Sequence, residues 1–437
     1  MSELYSAFTY TCLTVWMVLG TATLGSSCYL AGLMARAALR RKPVQAVTWG
    51  QHPPKLIVVI PAHNEELVIQ PTLASLCVQS YPRESFELVV IADNCSDTTA
   101  ALARECGATV LERLDLERRG KGYALEWGIA QLWDRVEKPD AVVVVDADTK
   151  AAPDFLEILT RELFVGIAPE DWATHARVLQ GRYGVLNGGE SWRAALMEGA
   201  FELVNHVKPL GRSVQGFTVG LKGNGMGFTR AVLEAVPWSG NSITEDIDYG
   251  LDLLLEKGII VGYAPEALVR AQMPNTSQQA ASQRARWERG RYRLLGERAP
   301  QLFWAGMKRG DSRLVDAGLD LVVPPLAELA AFHAAWLGLT ALCFNMGVLI
   351  PVWTLLVPLS LVLYAAYIFG GLRVAGARRE VYSALIRAPF YALWKFALYA
   401  LVRLKRGKAK GNEPLEWVRT ERSPMADEPK RPLEDAA

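Results

Sequence analysis

Residues 142–150 read VVVVDADTK. Four valines run into two aspartates, Asp146 and Asp148, one alanine apart. Two other stretches are apolar runs of the same kind: KLIVVIPA (55–62) and ELVVIAD (87–93), the second also ending in an aspartate. Continuous apolar runs of this length, without polar alternation, read as strands buried on both faces of a parallel sheet. Helical stretches separate them: LVIQPTLASLCVQS (67–80), TTAALARECG (98–107, ended by Gly107) and YALEWGIAQLWDRV (123–136). The βαβ alternation predicts a doubly wound α/β domain with a mostly parallel sheet over about residues 50–300. Ligands bind at the carboxyl ends of the strands in such folds. Asp93, Asp146 and Asp148 all sit there.

One aspartate at a strand end is accounted for as a helix cap. Three at two strand ends call for more. Carboxylates at i and i+2 across a tight turn suit a hard divalent cation, Mg²⁺ or Mn²⁺, with positions left for substrate phosphates. No G-x-x-x-x-G-K-[ST] occurs, and no G-x-G-x-x-G follows the first strand, which argues against a dinucleotide. The GNGMG at 223–227 is glycine-rich but stands elsewhere.

The chain has 437 residues and a net charge of +1, with no global push toward nucleic acid. Thirteen tryptophans and a positive mean hydropathy point toward lipid. The six cysteines are scattered without a C-x-x-C pair, against a zinc site or a disulfide framework. Residues 4–35 lack Asp, Glu, Lys and Arg, and a crossing needs roughly 20 apolar residues. Residues 1–40 therefore read as one transmembrane helix. Arg36, Arg40, Arg41 and Lys42 mark its cytoplasmic flank. Residues 313–372 read as two more, broken near Asn345, Gly347 and Pro351. Three crossings place residues 36–315 and the C-terminus in the cytoplasm, with the protein multi-pass in the inner membrane. Residues 381–404 suit an amphipathic helix in the interface more than a crossing, and 405–437 form a polar tail.

The ordered set IPAHNEE (60–66), IADNCSDTT (91–99), VDAD (145–148), TED (244–246) and QRARW (283–287) resembles the membrane-embedded family 2 glycosyltransferases, which include the synthases of cellulose, hyaluronan, chitin and poly-N-acetylglucosamine. PFYALWK (389–395) and WVRTER (417–422) resemble bacterial members. The resemblance implies a nucleotide-sugar-binding (GT-A-like) domain with transmembrane helices. It implies that Asp93 binds the nucleoside of a UDP-sugar and that Asp146 and Asp148 hold the metal on its diphosphate. Asp246 is implied as general base, beside Glu245. Glu65 and Lys121 fall where related enzymes touch the nucleotide. Gln283, Arg284, Arg286 and Trp287 are implied to close the donor site against the acceptor. Ser242 and Glu245 also read as a capping box, and Asp97 as a cap for the helix at Thr98. His63 and His206 read as structural.

The reaction this implies is inverting, metal-dependent β-glycosyl transfer onto a growing polysaccharide or glycan. Three readings stay open: that polymerase, with a secretion or polymerisation partner; a single addition to a lipid-linked acceptor; and a silent membrane scaffold. Retention of Asp146, Asp148, Asp246 and Trp287 argues against the last.

Overall fold

The computed structural model describes residues 2–40, 52–133, 135, 137–273, 277–348 and 354–388, with backbone alone for 2–5 and 277–287. Its centre is an eight-stranded sheet. In chain order the strands are β1 (Leu56–Ala62), β2 (Phe86–Asp93), β3 (Thr109–Arg113), β4 (Ala141–Val144), β5 (Thr149–Ala151), β6 (Val178–Val185), β7 (Met226–Thr229) and β8 (Val261–Ala271), and the spatial order is β3-β2-β1-β4-β7-β6-β8-β5.

The three apolar runs form the parallel centre. Leu56 pairs with Phe86 on one side and with Ala141 on the other. Alternate side chains face opposite layers, as the pleat requires. Ile57, Val59, Val142 and Val144 pack with Leu125, Ile129 and Leu132 of α4 (Lys121–Trp133). Leu56, Val58, Ile60 and Val143 pack with Leu73 and Leu76 of α2 (Ile69–Cys77) and Phe155 and Leu159 of α5 (Phe155–Phe164). The other crossover helix, α3, spans Thr99–Glu105.

The doubly wound expectation holds only for this half. β7 runs antiparallel to both β4 and β6, and β5 antiparallel to β8, while β6 and β8 are parallel with a bulge between Gly181 and Arg182. The sheet is mixed but mostly parallel. β4 is also shorter than the valine run, because after Val144 the chain turns to present the two aspartates.

Among the described residues, three helices are long and apolar enough to cross a membrane: Ser6–Ala38 within α1 (Ser2–Ala38), Leu326–Asn345 and Leu356–Val374. The segment 313–372 departs from expectation at its start, where Ser312–Val322 is a separate amphipathic helix whose Asp316 is buried. Numbered onward, α6 (Trp192–Phe201) runs through a π-helical turn, Glu202–Val207, into α7 (Lys208–Val214). Then come α8 (Arg230–Ala235), α9 (Glu245–Lys257), α10 (Ser277–Arg309), α11 (Ser312–Val322), α12 (Leu326–Asn345), α13 (Leu356–Val374) and α14 (Arg379–Leu385). α14 covers only the first residues of the interface helix expected over 381–404 and ends at Leu385; from residue 389 that segment and the tail lie outside the described residues.

The apolar helices dock on the α4 side of the sheet. Leu30, Leu329, Tyr367 and Leu372 belong to the same core as Ile57 and Val142. The Tyr367 hydroxyl donates to the Leu203 carbonyl in the π turn (2.8 Å). Within the helical bundle, Trp16 donates its indole N–H to Thr340 (2.7 Å), and His333 joins Ser360 (2.8 Å) and Ser27 (3.3 Å). Polar side chains away from water need such partners.

Candidate active site

The loop after β4 is held from two sides. Thr72 of α2 donates its hydroxyl to the Ala147 carbonyl (2.7 Å) and accepts from the Thr149 amide (3.1 Å). Asn224 accepts from the Asp146 amide (3.2 Å) and donates to Thr149 (2.8 Å). Asn224 belongs to GNGMG, so the glycine-rich loop is the lateral brace of the D-x-D turn. Gln180 of β6 anchors that loop, donating to the Asn224 carbonyl (2.7 Å) and accepting from the Lys222 amide (2.8 Å). No local sequence signal marked Gln180, and the glycine-rich GNGMG gave no role to Asn224.

Asp148 is 6% exposed, and Asp146 is half-buried. Lys121, the first residue of α4, directs its ammonium to the Asp146 carboxylate and to the Gly223 carbonyl. Gly223 has φ +79°, and a Cβ built there would lie 3.2 Å from Asp246 Oδ2 and 3.4 Å from Lys121 Nζ. A side chain at this position would enter the site itself. Lys121, Asp146, Gly223, Glu245 and Asp246 are thus gathered at one place from four separate stretches of chain.

Glu245 and Asp246 open α9. The expected capping box is not formed. Thr244 stands at the N-cap without a side-chain bond to the helix amides, and Ser242 Oγ donates to Asp248 (2.5 Å) instead. Burial and the adjacent Asp246 carboxylate push Glu245 up to about 7, against the pull of Lys121. Burial likewise raises Asp246, opposed by Lys121, the Ile247 amide and Lys222. A raised carboxyl pKa is what a general base needs.

Asp93 stands at the next strand end, 5% exposed, and accepts from Arg113 Nη1 (2.6 Å). Arg113 also reaches Asp115 (2.7 Å). Arg113 was not singled out from sequence, although its place at the end of β3, in register with Asp93, explains the pairing. Asp97 accepts from the Thr99 amide (3.0 Å); the helix expected to start at Thr98 starts at Thr99, so Asp97 caps it from the residue before the N-cap. The Glu65 amide donates to Thr99 Oγ1 (2.8 Å), so the loops after β1 and β2 are tied together. His63 donates from Nδ1 to the Asp93 carbonyl (2.7 Å), and burial with nearby Arg182 and Arg40 lowers His206 to about 3. Both are structural contacts. The side chains of Gln283, Arg284, Arg286 and Trp287 lie outside the described residues; the backbone of 277–287 is the first part of α10.

Among the described residues, no three His, Cys, Asp or Glu side chains gather into a set able to hold a metal alone. Two hard carboxylates at a braced turn fit a Mg²⁺- or Mn²⁺-type ion that takes its remaining ligands from phosphate and water. Asp146 and Asp148 are the residues that would hold it.

A GT-A-like α/β domain with carboxylates and lysine at its strand ends, joined to three long apolar helices, is the class that fold and site define. The chain belongs to the family described as glycosyltransferase-like family 2, whose model matches residues 53–290. A probable glycosyltransferase of Bacillus subtilis (strain 168) is 26% identical over 263 residues, 59% of this chain and 60% of its own. A beta-monoglucosyldiacylglycerol synthase of Synechocystis sp. is 28% identical over 247 residues, 55% of this chain and 48% of its own. The chain spans about half the length of the curated relatives it matches. Among solved structures, a mannosyltransferase of Pyrobaculum calidifontis in complex with GDP-Man and Mn2+ aligns with a TM-score of 0.49 at 18% identity, over 82% of this chain and 97% of that one.

Proposed function

We propose that the protein is an inverting, metal-dependent glycosyltransferase of the inner membrane. It moves a sugar from a UDP-sugar to a growing glycan at the cytoplasmic face. The observation that carries this reading is the meeting of Lys121, Asp146 and Asp246 around Gly223. Asp246 takes the proton of an acceptor hydroxyl. The oxygen forms a new bond to the anomeric carbon as the bond to the diphosphate breaks, and that electron pair leaves with the nucleoside diphosphate. A single in-line displacement converts an α-linked donor to a β-linked product.

Lys121 and the braced D-x-D turn hold the diphosphate. A bound divalent ion supplies charge neutralisation there. Asp93, oriented by Arg113, and Glu65 are assigned to the nucleoside side. Gln283, Arg284, Arg286 and Trp287 are assigned to closing the site. Arg36, in the last turn of the first apolar helix, and Arg40, just after it, support a cytoplasmic catalytic domain.

A second reading, single addition to a membrane lipid, is favoured by one observation. Among the described residues only three helices are long and apolar enough to span, few for a polymer channel. Similarity to the beta-monoglucosyldiacylglycerol synthase points the same way.

The test is nucleotide release by the full chain in lipid nanodiscs, with a panel of UDP- and GDP-sugars and Mn²⁺ or Mg²⁺. Release with one donor, dependent on metal and abolished by Asp246→Asn, is expected. Sizing the product separates polymer from single addition. Release that survives Asp246→Asn would sink the assignment of the base.

A further inference from the structure

We propose that a groove between α1 and α11 binds an anionic phospholipid, with one acyl chain in the groove and the phosphate on Arg36. This rests on the reading of α1, α12 and α13 as membrane-crossing helices and not on the transfer chemistry.

The groove runs between two helix faces. Cys28, Gly32 and Arg36 of α1, one turn apart from each other, form one wall, and Ser312, Val315 and Leu319 of α11 form the other. Its volume is about 370 Å³, within the roughly 300–1,000 Å³ of small-ligand sites. The α11 wall is apolar and continues past the groove. Val315, Leu319 and Val322 recur at i, i+4 and i+7 on one face, and the last two are 41% and 45% exposed. An exposed apolar row beside a membrane-length helix is matched to acyl chains.

The helix register sets the depth of the groove. α1 and α12 run side by side in opposite directions, with Ser27 joined to His333 (3.3 Å) and Trp16 to Thr340 (2.7 Å). Counting seven residues back from His333 and fourteen from Thr340 sets Leu326, the first residue of α12, level with about residues 30–34 of α1. α12 has 20 residues, the length of one crossing, so its start marks the edge of the hydrocarbon. An ion pair in that first turn, Arg291 with Glu328 (2.5 Å), agrees, since charge belongs outside the hydrocarbon. The groove straddles this edge, with Cys28 on the acyl side and Arg36 on the headgroup side.

Two arginines stand at this end of α1, Arg36 in its last turn and Arg40 just beyond. Arg40 pairs with Glu266 (2.7 Å). Arg36 makes no ion pair with any described residue, and its Nη1 donates to the Gly32 carbonyl one turn back (3.1 Å). Gly32 leaves room for this, because a Cβ there would lie 3.1 Å from that same nitrogen. The guanidinium is thereby folded back to the level of residue 32, where headgroups lie. Asp316, the carboxylate that lines the groove, is already held by Arg212 (2.6 Å) and Tyr29 (2.9 Å), so it does not answer Arg36. A guanidinium presents a fork of donors that matches phosphate. Neutral lipid would cover the apolar row and leave the cation unanswered. Soluble phosphate would answer the cation and leave the row in water. An anionic phospholipid does both.

The experiment uses the full chain in phosphatidylcholine nanodiscs doped with a diazirine-acyl probe, either phosphatidylglycerol or phosphatidylcholine. Cross-linked peptides are mapped after irradiation. The phosphatidylglycerol probe is expected to label the segments around Cys28 and Leu319 together, about fivefold more than the phosphatidylcholine probe, the worth of one basic residue beside an anionic headgroup. Arg36→Gln should bring the two probes level, and Arg36→Lys should keep most of the preference. Leu319→Trp, which fills the groove, should lower labelling of both segments with Arg36 in place, and it tests the groove even if Arg36→Gln fails to fold. Equal labelling of wild type by both probes overturns the inference in favour of neutral lipid. A preference that survives Arg36→Gln overturns it as well. Probes that label the chain elsewhere but not these two segments overturn the groove, and two chains per disc would then make a second copy its occupant. A chain that does not enter the disc overturns the membrane reading, and this inference with it.

Discussion

At Asp246 the chemistry asks for a carboxylate that is ionised yet basic. The site meets both demands by opposition. Burial raises the pKa, and Lys121, Lys222 and the Ile247 amide restrain the rise. The rate should therefore fall on the acid side at a pH above the ordinary Asp value of about 4. Asp246→Asn should lower kcat by about 10²–10⁴-fold with nucleoside diphosphate affinity retained, since general bases contribute on that scale. An acid limb at or below the ordinary value would contradict this account. Glu245 gives a separate test through stability. Its pKa rises from 4.5 to about 7 on folding. Between those values the folded state binds a proton that the unfolded state has lost, so stability falls as pH rises through that window. Glu245→Gln removes the titration, and thermal melts from pH 4.5 to 8 should show the variant gaining on wild type as pH rises. A constant difference across that range would rule the effect out.

At the scale of elements, α10 is tied to the loop that carries the base. Arg293 donates to Ser242 (2.7 Å) and Thr244 (3.2 Å) and pairs with Asp248. Gly290 lets the helix close on that loop, because a Cβ there would lie 2.3 Å from Thr244 Cγ2. Gly290→Val should push α10 away and Arg293→Ala should loosen it. Both should lower kcat about tenfold or more while leaving nucleoside diphosphate affinity within about twofold, as expected when misplacement affects orientation. Equal losses in nucleotide binding would argue for general unfolding instead. These contacts also show what the sequence could express. The valine and isoleucine runs identified β1, β2 and β4, because a strand buried on both faces needs no partner to be recognised. TED and the D-x-D turn announced themselves by residue type. Arg113, Gln180 and Asn224 did not, since each acts on a strand end or loop that only the sheet order brings near. The reversed strands β5 to β8 were equally hidden: GRYGVLNG and GNGMG lack a long apolar run, and their direction depends on pairings across the whole domain. The capping box at Ser242 is not formed because the Ser242 hydroxyl bonds Asp248, four residues into the helix and not legible from the local pattern.

For the molecule as a whole, the question is what keeps the catalytic domain registered on the membrane-length helices. The apolar core is continuous from Val142 of the sheet to Leu329 and Tyr367, but apolar contact fixes no single register. The cluster of Arg212, Asp316, Asp320 and Lys208 supplies direction, joining α7 to α11 with Tyr29 of α1 at its edge. Arg212 is 2% exposed, so its partners have no water to replace it. Arg212→Met should therefore cost about 3–5 kcal/mol, the penalty of stranding buried charge. Arg212→Met combined with Asp316→Leu should recover much of that loss, because Asp320 keeps Lys208 and no other carboxylate is left unpaired. Melting of the detergent-solubilised protein would measure both. If the double variant regains stability, its nucleotide release separates the two roles. Full activity would make the cluster a fastening only. Stability without activity would mean that the ion pairs set where the loop at Gly223 stands against Asp246. We expect the latter, since α7 and the loop bearing Lys222 are joined by only seven residues, from Gln215 to Leu221.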